Sequence, residues 1–287
     1  MFVYDLRSNS WVQKLEYPTD YSIHVACCSD GNRIYCFGGS DGSRLSKDLY
    51  ILDPSTGSWS RGSDFPANSG LRGASAICYK NKIYVVGGFK DGRTSADVTV
   101  YYPSRDVYDF RSRRTMPTPR EWFNLSCING VLYAIGGGNE EYPQLRTVEA
   151  YDISSDRWTV KEPMPSARYG LARENSAING KILVSSGMYR YPPLSSGFSS
   201  RFIKITRKIG SYFRLIKPFF FYNDLLRYDA STNSWATVGR TGYRRDGASQ
   251  GVLDGKLYVI GGRNSIPAIS GLDYCEQFDF SLFNNRD

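Results

Sequence analysis

The chain is poor in the side chains that most enzyme sites need. Among its 287 residues it has one histidine, His24. A lone imidazole cannot build a histidine-rich metal centre. No cysteine cluster replaces it, because Cys27, Cys28, Cys36, Cys78, Cys127 and Cys275 include no Cys-x-x-Cys pair. No glycine-rich phosphate loop and no Gly-x-Ser-x-Gly nucleophile turn occur. No apolar run approaches the roughly 20 residues of a membrane span, and the start has no charged-then-apolar stretch resembling a signal peptide. Most cysteines fall in expected strands, where they act as small core hydrophobes. The expectation is therefore reduced thiols in a cytoplasmic chain with no metal and no cofactor. On that expectation the Asn124-Leu125-Ser126 glycosylation match, which lies in a strand, carries no weight.

What the chain has in quantity is repetition. Apolar runs ending in two glycines recur at Ile34–Gly39, Ile83–Gly88, Leu132–Gly137 and Leu257–Gly262, with a degenerate copy, Ile182–Gly187, carrying Ser186 in place of the first glycine. The pairs are Gly38-Gly39, Gly87-Gly88, Gly136-Gly137 and Gly261-Gly262. The second glycines are spaced 49, 49 and 50 residues, then 75. After each pair comes an alternating run such as Leu49–Asp53, Val148–Asp152 or Leu225–Asp229, and an aromatic follows six residues beyond the Asp. Those aromatics are Trp11, Trp59, Trp158 and Trp235, and alignment places Tyr108 in the same slot. A period near 50 means stacked supersecondary units.

Alternation of β-branched and aromatic residues between Gly, Asp, Asn and Ser clusters reads as strands and turns. One copy predicts strands at Gly73–Tyr79, Lys82–Val86, Val98–Tyr102 and Val107–Phe110, with Asn81-Lys82 and Asn129-Gly130 suited to tight hairpins. The paired glycines mark close backbone approach, and the fourth-strand aromatic offers a flat surface to the next sheet. Four-stranded antiparallel sheets repeated about an axis make a propeller.

The pattern Arg168…Lys181-Ile182-Leu183…Gly187…Arg227-Tyr228-Asp229…Trp235 resembles the kelch repeat. Five such copies cover nearly all of the chain. The resemblance implies an all-β, kelch-type β-propeller of five to six four-stranded antiparallel blades, with glycines, tyrosines and tryptophans as framework. Residues 22–63, 72–113, 120–162, 168–238 and 244–281 are successive blades and 1–16 a partial one. The chain opens on third and fourth strands and closes on a third. Either a five-bladed ring carries a surplus strand, or strands are missing ahead of Met1 in an N-terminally truncated chain.

The long spacing holds a basic insertion, 190–222, within the fourth full repeat. It carries seven basic residues and no acid, against a net charge of +8 for the whole chain. The rest is near neutral, so nucleic acid is not an expected partner. Phe202, Ile205, Ile209, Tyr212 and Ile216 recur at helical spacing opposite Lys204, Arg207, Lys208 and Arg214, as in a basic membrane-surface helix. Gly210 and Pro218 interrupt that pattern. A retained intron, a disordered loop and a membrane-surface helix at 201–217 all stay open.

In kelch propellers the loops after the glycine pairs and those between blades emerge on one face. Here those loops supply Arg44, Arg93, Tyr142, Tyr189, Arg245, Arg263 and Asn264 as candidate partner contacts, since arginine forks and rigid aromatics suit carboxylate-bearing peptides. Arg72, Arg120, Arg168 and Arg244 belong to the repeat and are expected to bridge blades. The resemblance implies a non-enzymatic protein-interaction module binding an acidic peptide. Kelch-like ubiquitin ligase adaptors are such modules, and a BTB half upstream would place this one in a cullin assembly. Actin binding and a kelch-type sugar mutarotase are the alternatives.

Overall fold

Both faces of each blade's second strand are apolar, and the fold uses both. In the computed structural model, which describes residues 2–5, 7–8, 10–190, 219–263 and 275–279, the chain forms a β-propeller of antiparallel sheets. Four sheets have four strands and follow chain order outward from the axis. Blade 1 comprises Ala26–Ser29, Ile34–Phe37, Leu49–Asp53 and Ser58–Gly62; blade 2, Ser75–Tyr79, Lys82–Val86, Val98–Tyr102 and Val107–Asp109. Blade 3 comprises Asn124–Ile128, Val131–Ile135, Val148–Asp152 and Arg157–Lys161; blade 4, Ala177–Ile178, Lys181–Val184, Asp224–Asp229 and Ser234–Arg240. Blade 5 has three described strands, Ser249–Leu253, Lys256–Ile260 and Cys275–Asp279, and Phe2–Asp5 pairs with Ser10–Lys14 as a separate two-stranded sheet.

The core lies in the seams between blades. Along blade 2, Ile83, Val85 and Tyr101 pack with Phe37, Leu49, Phe65 and Leu71 of the blade 1 side. Their strand neighbours Tyr84, Val86 and Val100 pack with Phe123, Leu125 and Leu132 of blade 3. Period-two alternation thus feeds two seams from one strand. Each large apolar side chain buried this way contributes about 1.5–3 kcal/mol.

The outer rim is fastened by one device used at three seams. Asp106, Asp156 and Asn233 sit at φ +52°, +53° and +52° in the turn before the fourth strand. Each accepts the hydroxyl of a third-strand tyrosine (Tyr101, Tyr151, Tyr228) at 2.7 Å. Their oxygens also accept the backbone N–H of Ser63 (2.9 Å), Arg114 (3.0 Å) and Glu162 (3.0 Å) from the preceding linker. The carbonyl of that same linker residue accepts from the fourth-strand aromatic. Tyr108 donates to Ser63 at 2.9 Å, Trp158 to Arg114 at 3.0 Å and Trp235 to Glu162 at 2.9 Å. Tyr108 therefore does the polar work of a tryptophan in its slot.

Ser186 also stands in for glycine conformationally. Its φ is +62°, against +66°, +64°, +66° and +66° for Gly38, Gly87, Gly136 and Gly261. A Cβ at Gly38 would lie 2.3 Å from the Leu71 carbonyl oxygen, so close approach of blades sets the requirement there.

The phenylalanine run Phe219–Phe221 fits neither a solvent loop nor an amphipathic face. It is a strand, paired with Ser186–Arg190, which pairs in turn with Tyr169–Leu171. Phe221 is buried, and Phe220 is stacked under the Arg244 guanidinium at 4.7 Å. Residues 191–218 of the insertion, for which a membrane-surface helix at 201–217 is one of three open alternatives, lie outside the described residues.

Candidate ligand-binding funnel

At the mouth of the axis the inner strands repeat one arrangement in five blades. Ile23, Arg72, Glu121, Tyr169 and Asp246 bridge to Ser40, Phe89, Gly138, Met188 and Arg263. The residue after each turns the strand with a left-handed backbone: His24 (φ +63°), Gly73 (+64°), Trp122 (+60°), Gly170 (+69°) and Gly247 (+61°). Hydrogen bonds run between blades along this row. Gly73 N–H donates to His24 at 3.0 Å, Trp122 N–H to Gly73 at 2.9 Å, and Gly247 N–H to Gly170 at 2.8 Å. Three positions use glycine. His24 and Trp122 hold the same conformation with a Cβ, at a cost of about 1–2 kcal/mol each. Strain of this kind clusters at ligand clamps.

The two strained residues touch. The His24 and Trp122 rings meet edge to face with centroids 3.9 Å apart, and Trp122 also lies 5.5 Å from Tyr169. Arg173 reaches in from blade 4, donating to the carbonyls of His24 (3.4 Å) and Ala74 (3.2 Å). Its neighbour Glu174 accepts from Ser249 Oγ (3.1 Å) and Gln250 N–H (3.2 Å) of blade 5. A local insertion makes this reach available. Ser126 and Ser176 meet at 3.3 Å as matching residues of blades 3 and 4. They follow Arg120 by six residues but Arg168 by eight.

Charges are concentrated here and incompletely paired. Arg263 grips Asp246 with two bonds, 2.9 and 3.1 Å. Arg72 Nε stands 3.7 Å from Glu121 Oε2, beyond a hydrogen bond, with its guanidinium 4.5 Å over the Phe89 ring. His24 Nδ1, Arg72 Nε, Glu121 Oε2 and Trp122 Nε1 are all buried without a hydrogen-bond partner among the described residues. Burial, then the charges of Arg173, Arg72 and Arg263, lowers the His24 pKa to about 3, so the ring is neutral. Burial raises Glu121 against the pull of Arg72, and raises Asp246 against Arg263. Tyr169 is raised by burial and by Glu121. The funnel thus gathers guanidinium donors, two weakened carboxylic acids and aromatic faces. It is equipped to bind a polar, carboxylate-bearing group. Perturbed acids and bases of this kind also mark proton-transfer sites.

The residues expected from sequence are distributed differently. Arg263 is at the funnel. Arg44 is exposed but ion-paired with Asp41 of its own loop at 3.1 Å and set 5.7 Å over Tyr21. Arg93 is exposed on a two-residue strand, Arg93–Thr94, and Tyr142 is exposed on the blade 3 loop. Tyr189 lies in the strand paired with the phenylalanine run, and Asn264 is outside the described residues.

Arg245 is not on the loop face. Its side chain is fully buried, with Nη1 donating to the Gly261 carbonyl at 2.9 Å and Nη2 paired with Glu276. It matches Arg120, which pairs with Glu149 at 2.8 Å, and Arg168, which pairs with Asp224 at 2.5 Å. The bridging series is therefore Arg120, Arg168 and Arg245, one residue out of register with Arg244. Its blade 2 member is Leu71, since Gly39, Gly88, Gly137 and Gly187 donate to the carbonyls of Leu71, Arg120, Arg168 and Arg245. Arg72, expected to bridge, belongs instead to the funnel row with Glu121, Tyr169 and Asp246. Glu121, Arg173 and Asp246 were not among the sequence candidates. A one-residue offset at each strand start hides them, because periodicity locates strands more tightly than their first residues.

Among the described residues no group of three or more His, Cys, Asp or Glu could hold a metal ion, and no helix is long and apolar enough to cross a membrane.

Comparison with known proteins gives the following. The KLHDC2/KLHL20/DRC7 Kelch-repeats domain model matches residues 1–187, and the Kelch motif matches residues 244–282. Human Kelch-like protein 15 is 28% identical over 149 residues, 51% of this chain and 22% of that protein. Kelch-like protein terF of Aspergillus terreus is 23% identical over 273 residues, 90% of this chain and 53% of that protein. N-acetylneuraminate epimerase 1 of Escherichia coli is 27% identical over 158 residues, 50% and 41%. This chain thus spans between about a fifth and a half of the length of these curated relatives. The solved structure of YjhT has the same fold, with a TM-score of 0.67 at 15% identity over 89% of this chain and 81% of that one.

Proposed function

The chain belongs to the Kelch-repeat family, and from that premise we propose that it is a non-enzymatic protein-recognition module whose partner docks over the funnel. One observation carries the reading. Unlike the bridging arginines, whose side chains are 0% exposed, Arg72 and Arg263 are 35% and 37% exposed at the funnel mouth. Among the described residues Arg72 has no hydrogen-bonded acid, so a carboxylate delivered by a partner would find an under-used guanidinium backed by aromatic surface. The partner is an acidic peptide segment. Joined to a BTB half, such a module would recognise substrate for a cullin ligase, the role implied by the resemblance to kelch-like ligase adaptors.

The test is a peptide-display selection on wild-type protein and on Arg72→Ala. Wild type should enrich sequences rich in Asp and Glu, and Arg72→Ala should lose that enrichment while keeping its melting temperature. Equal enrichment by both proteins, or no acidic bias, would sink the proposal.

A second reading, a sugar mutarotase, is favoured by one feature: two weakened acids, Glu121 and Asp246, stand beside arginines in the same funnel. A weakened carboxylic acid is the kind of group that exchanges a proton with a ring oxygen. Purified protein that leaves the anomerisation rate of N-acetylneuraminate unchanged by NMR excludes this reading.

A further inference from the structure

Six free cysteines lie among the described residues, and two of them stand together. Cys27 and Cys36 face each other across the first two strands of blade 1, with their sulfurs 2.8 Å apart. This is the one thiol–thiol hydrogen bond among the described residues. Asp30 N–H donates to the Arg33 carbonyl at the end of the same hairpin. Alternation from that bonded pair makes Cys28 and Tyr35 a hydrogen-bonded pair and Cys27 and Cys36 a non-hydrogen-bonded one. At such positions the opposed Cα atoms come within about 4.5 Å, inside the roughly 4.4–6.8 Å that a disulfide spans. The sulfurs need only close to about 2.05 Å, with no shift of strand register.

The other thiols are placed differently. Cys28 and Cys78 pack against the core between blades 1 and 2, and Cys127 against that between blades 2 and 3. Above the pair, Tyr17 is held edge-on between Tyr50 and Trp59, at centroid distances of 5.6 and 5.3 Å. Its hydroxyl is buried near the two sulfurs with no hydrogen-bond partner among the described residues. Cys36 is 2% exposed and Cys27 is half-buried, so reagent meets Cys27 first. Its hydrogen bond to Cys27, followed by burial, raises the Cys36 pKa and keeps that thiol protonated until its turn.

We propose that Cys27 and Cys36 form a redox-active dithiol, oxidised reversibly to a cross-strand disulfide by exchange with a low-molecular-weight disulfide such as glutathione disulfide. The Cys27 thiolate attacks one sulfur of the reagent and expels the other half as a thiolate. Cys36 gives its proton to that thiolate and attacks Cys27 Sγ, expelling the second half, which takes the proton Cys27 first released. Two protein thiols become one disulfide, and one reagent disulfide becomes two thiols. The short loop between the cysteines constrains the unfolded chain less than a long one would, which suits a reducible bond more than a permanent staple. Cys27 lies three residues after His24, in the strand that follows that turn, so the bond ties the strand behind the funnel to its neighbour.

The experiment treats the folded 287-residue protein with glutathione disulfide and reads intact mass, then maps linked peptides without reduction. The expected result is loss of two hydrogens, a Cys27–Cys36 cross-linked peptide, and recovery of the reduced mass with dithiothreitol. Cys36→Ser should instead retain one glutathione on Cys27. A wild-type protein that stays reduced or stops at the mixed disulfide overturns the proposal, as does a linkage joining any other pair. The wild-type mapping decides the matter even if the variant fails to fold.

Discussion

Blade 2 predicts how blade 3 can be rebuilt. Arg120 is fully buried and Glu149 is 3% exposed, with Nη2 and Oε2 2.8 Å apart. The guanidinium also donates to the carbonyls of Gly136 (2.9 Å) and Thr147 (3.1 Å) and to Thr147 Oγ1 (3.0 Å). Glu149 accepts in addition from Thr118 Oγ1 at 2.6 Å. The matching positions in blade 2 are Leu71 and Thr99, both buried. Removing Arg120 alone strands a carboxylate in the seam, and removing Glu149 alone strands a guanidinium. Each of Arg120→Leu and Glu149→Thr should therefore cost about 3–5 kcal/mol. The double variant removes both charges together and copies a pair the fold already tolerates. It should lose no more than about 2 kcal/mol, because replacing a whole buried pair is often near neutral. The coupling energy should then be at least about 4 kcal/mol, well beyond the additivity expected of distant sites. Urea unfolding of the four proteins measures this through midpoint and slope. A double variant that loses the sum of the single losses would refute the argument, because the seam would then need the charges themselves and not merely their pairing.

Other outcomes follow from the same geometry. Ser186→Gly should stabilise by about 1 kcal/mol: relief of the left-handed strain outweighs glycine's entropy cost, and the buried, unpartnered Ser186 hydroxyl disappears. Thermal unfolding checks the sign, and a destabilised variant would mean that this backbone is not strained. Tyr108→Phe keeps the ring but deletes the bond to Ser63, and should cost about 1 kcal/mol in urea. His24, neutral in the fold with a pKa near 3 against 6.5 unfolded, makes the unfolded chain bind the extra proton between those values. Stability should therefore fall as pH drops from about 6.5 toward 3. Glu121 and Asp246, whose pKa values are raised, act in the opposite sense. The readout is accordingly the difference between wild type and His24→Gly, and identical pH profiles would show that the imidazole is not held neutral.

Repeat spacing and alternation were enough to predict the all-β propeller and the placement of its blade strands, but not the two smaller sheets built on Arg93–Thr94 and Phe219–Phe221. They placed Tyr108 in the tryptophan slot, because each blade must bury the same two faces and the chain must write those faces out again every 49 or 50 residues. The second strand of blade 2 is Lys82–Val86 in prediction and structure alike. The first strand is shorter than predicted, starting at Ser75 instead of Gly73, because Gly73 turns left-handed at the funnel. Such signals are local and periodic, and the sequence alone carries them. The funnel is neither. Arg72, Glu121, Tyr169 and Asp246 are unlike residues at one equivalent position, so no recurring letter announces them. Arg173 joins them only because two extra residues in blade 4 let it cross to His24 and Ala74. Which arginine is buried against Glu276 and which is left under-paired at the mouth turns on a one-residue register at each strand start. Hydrogen bonds between blades set that register, and only the tertiary structure brings them together.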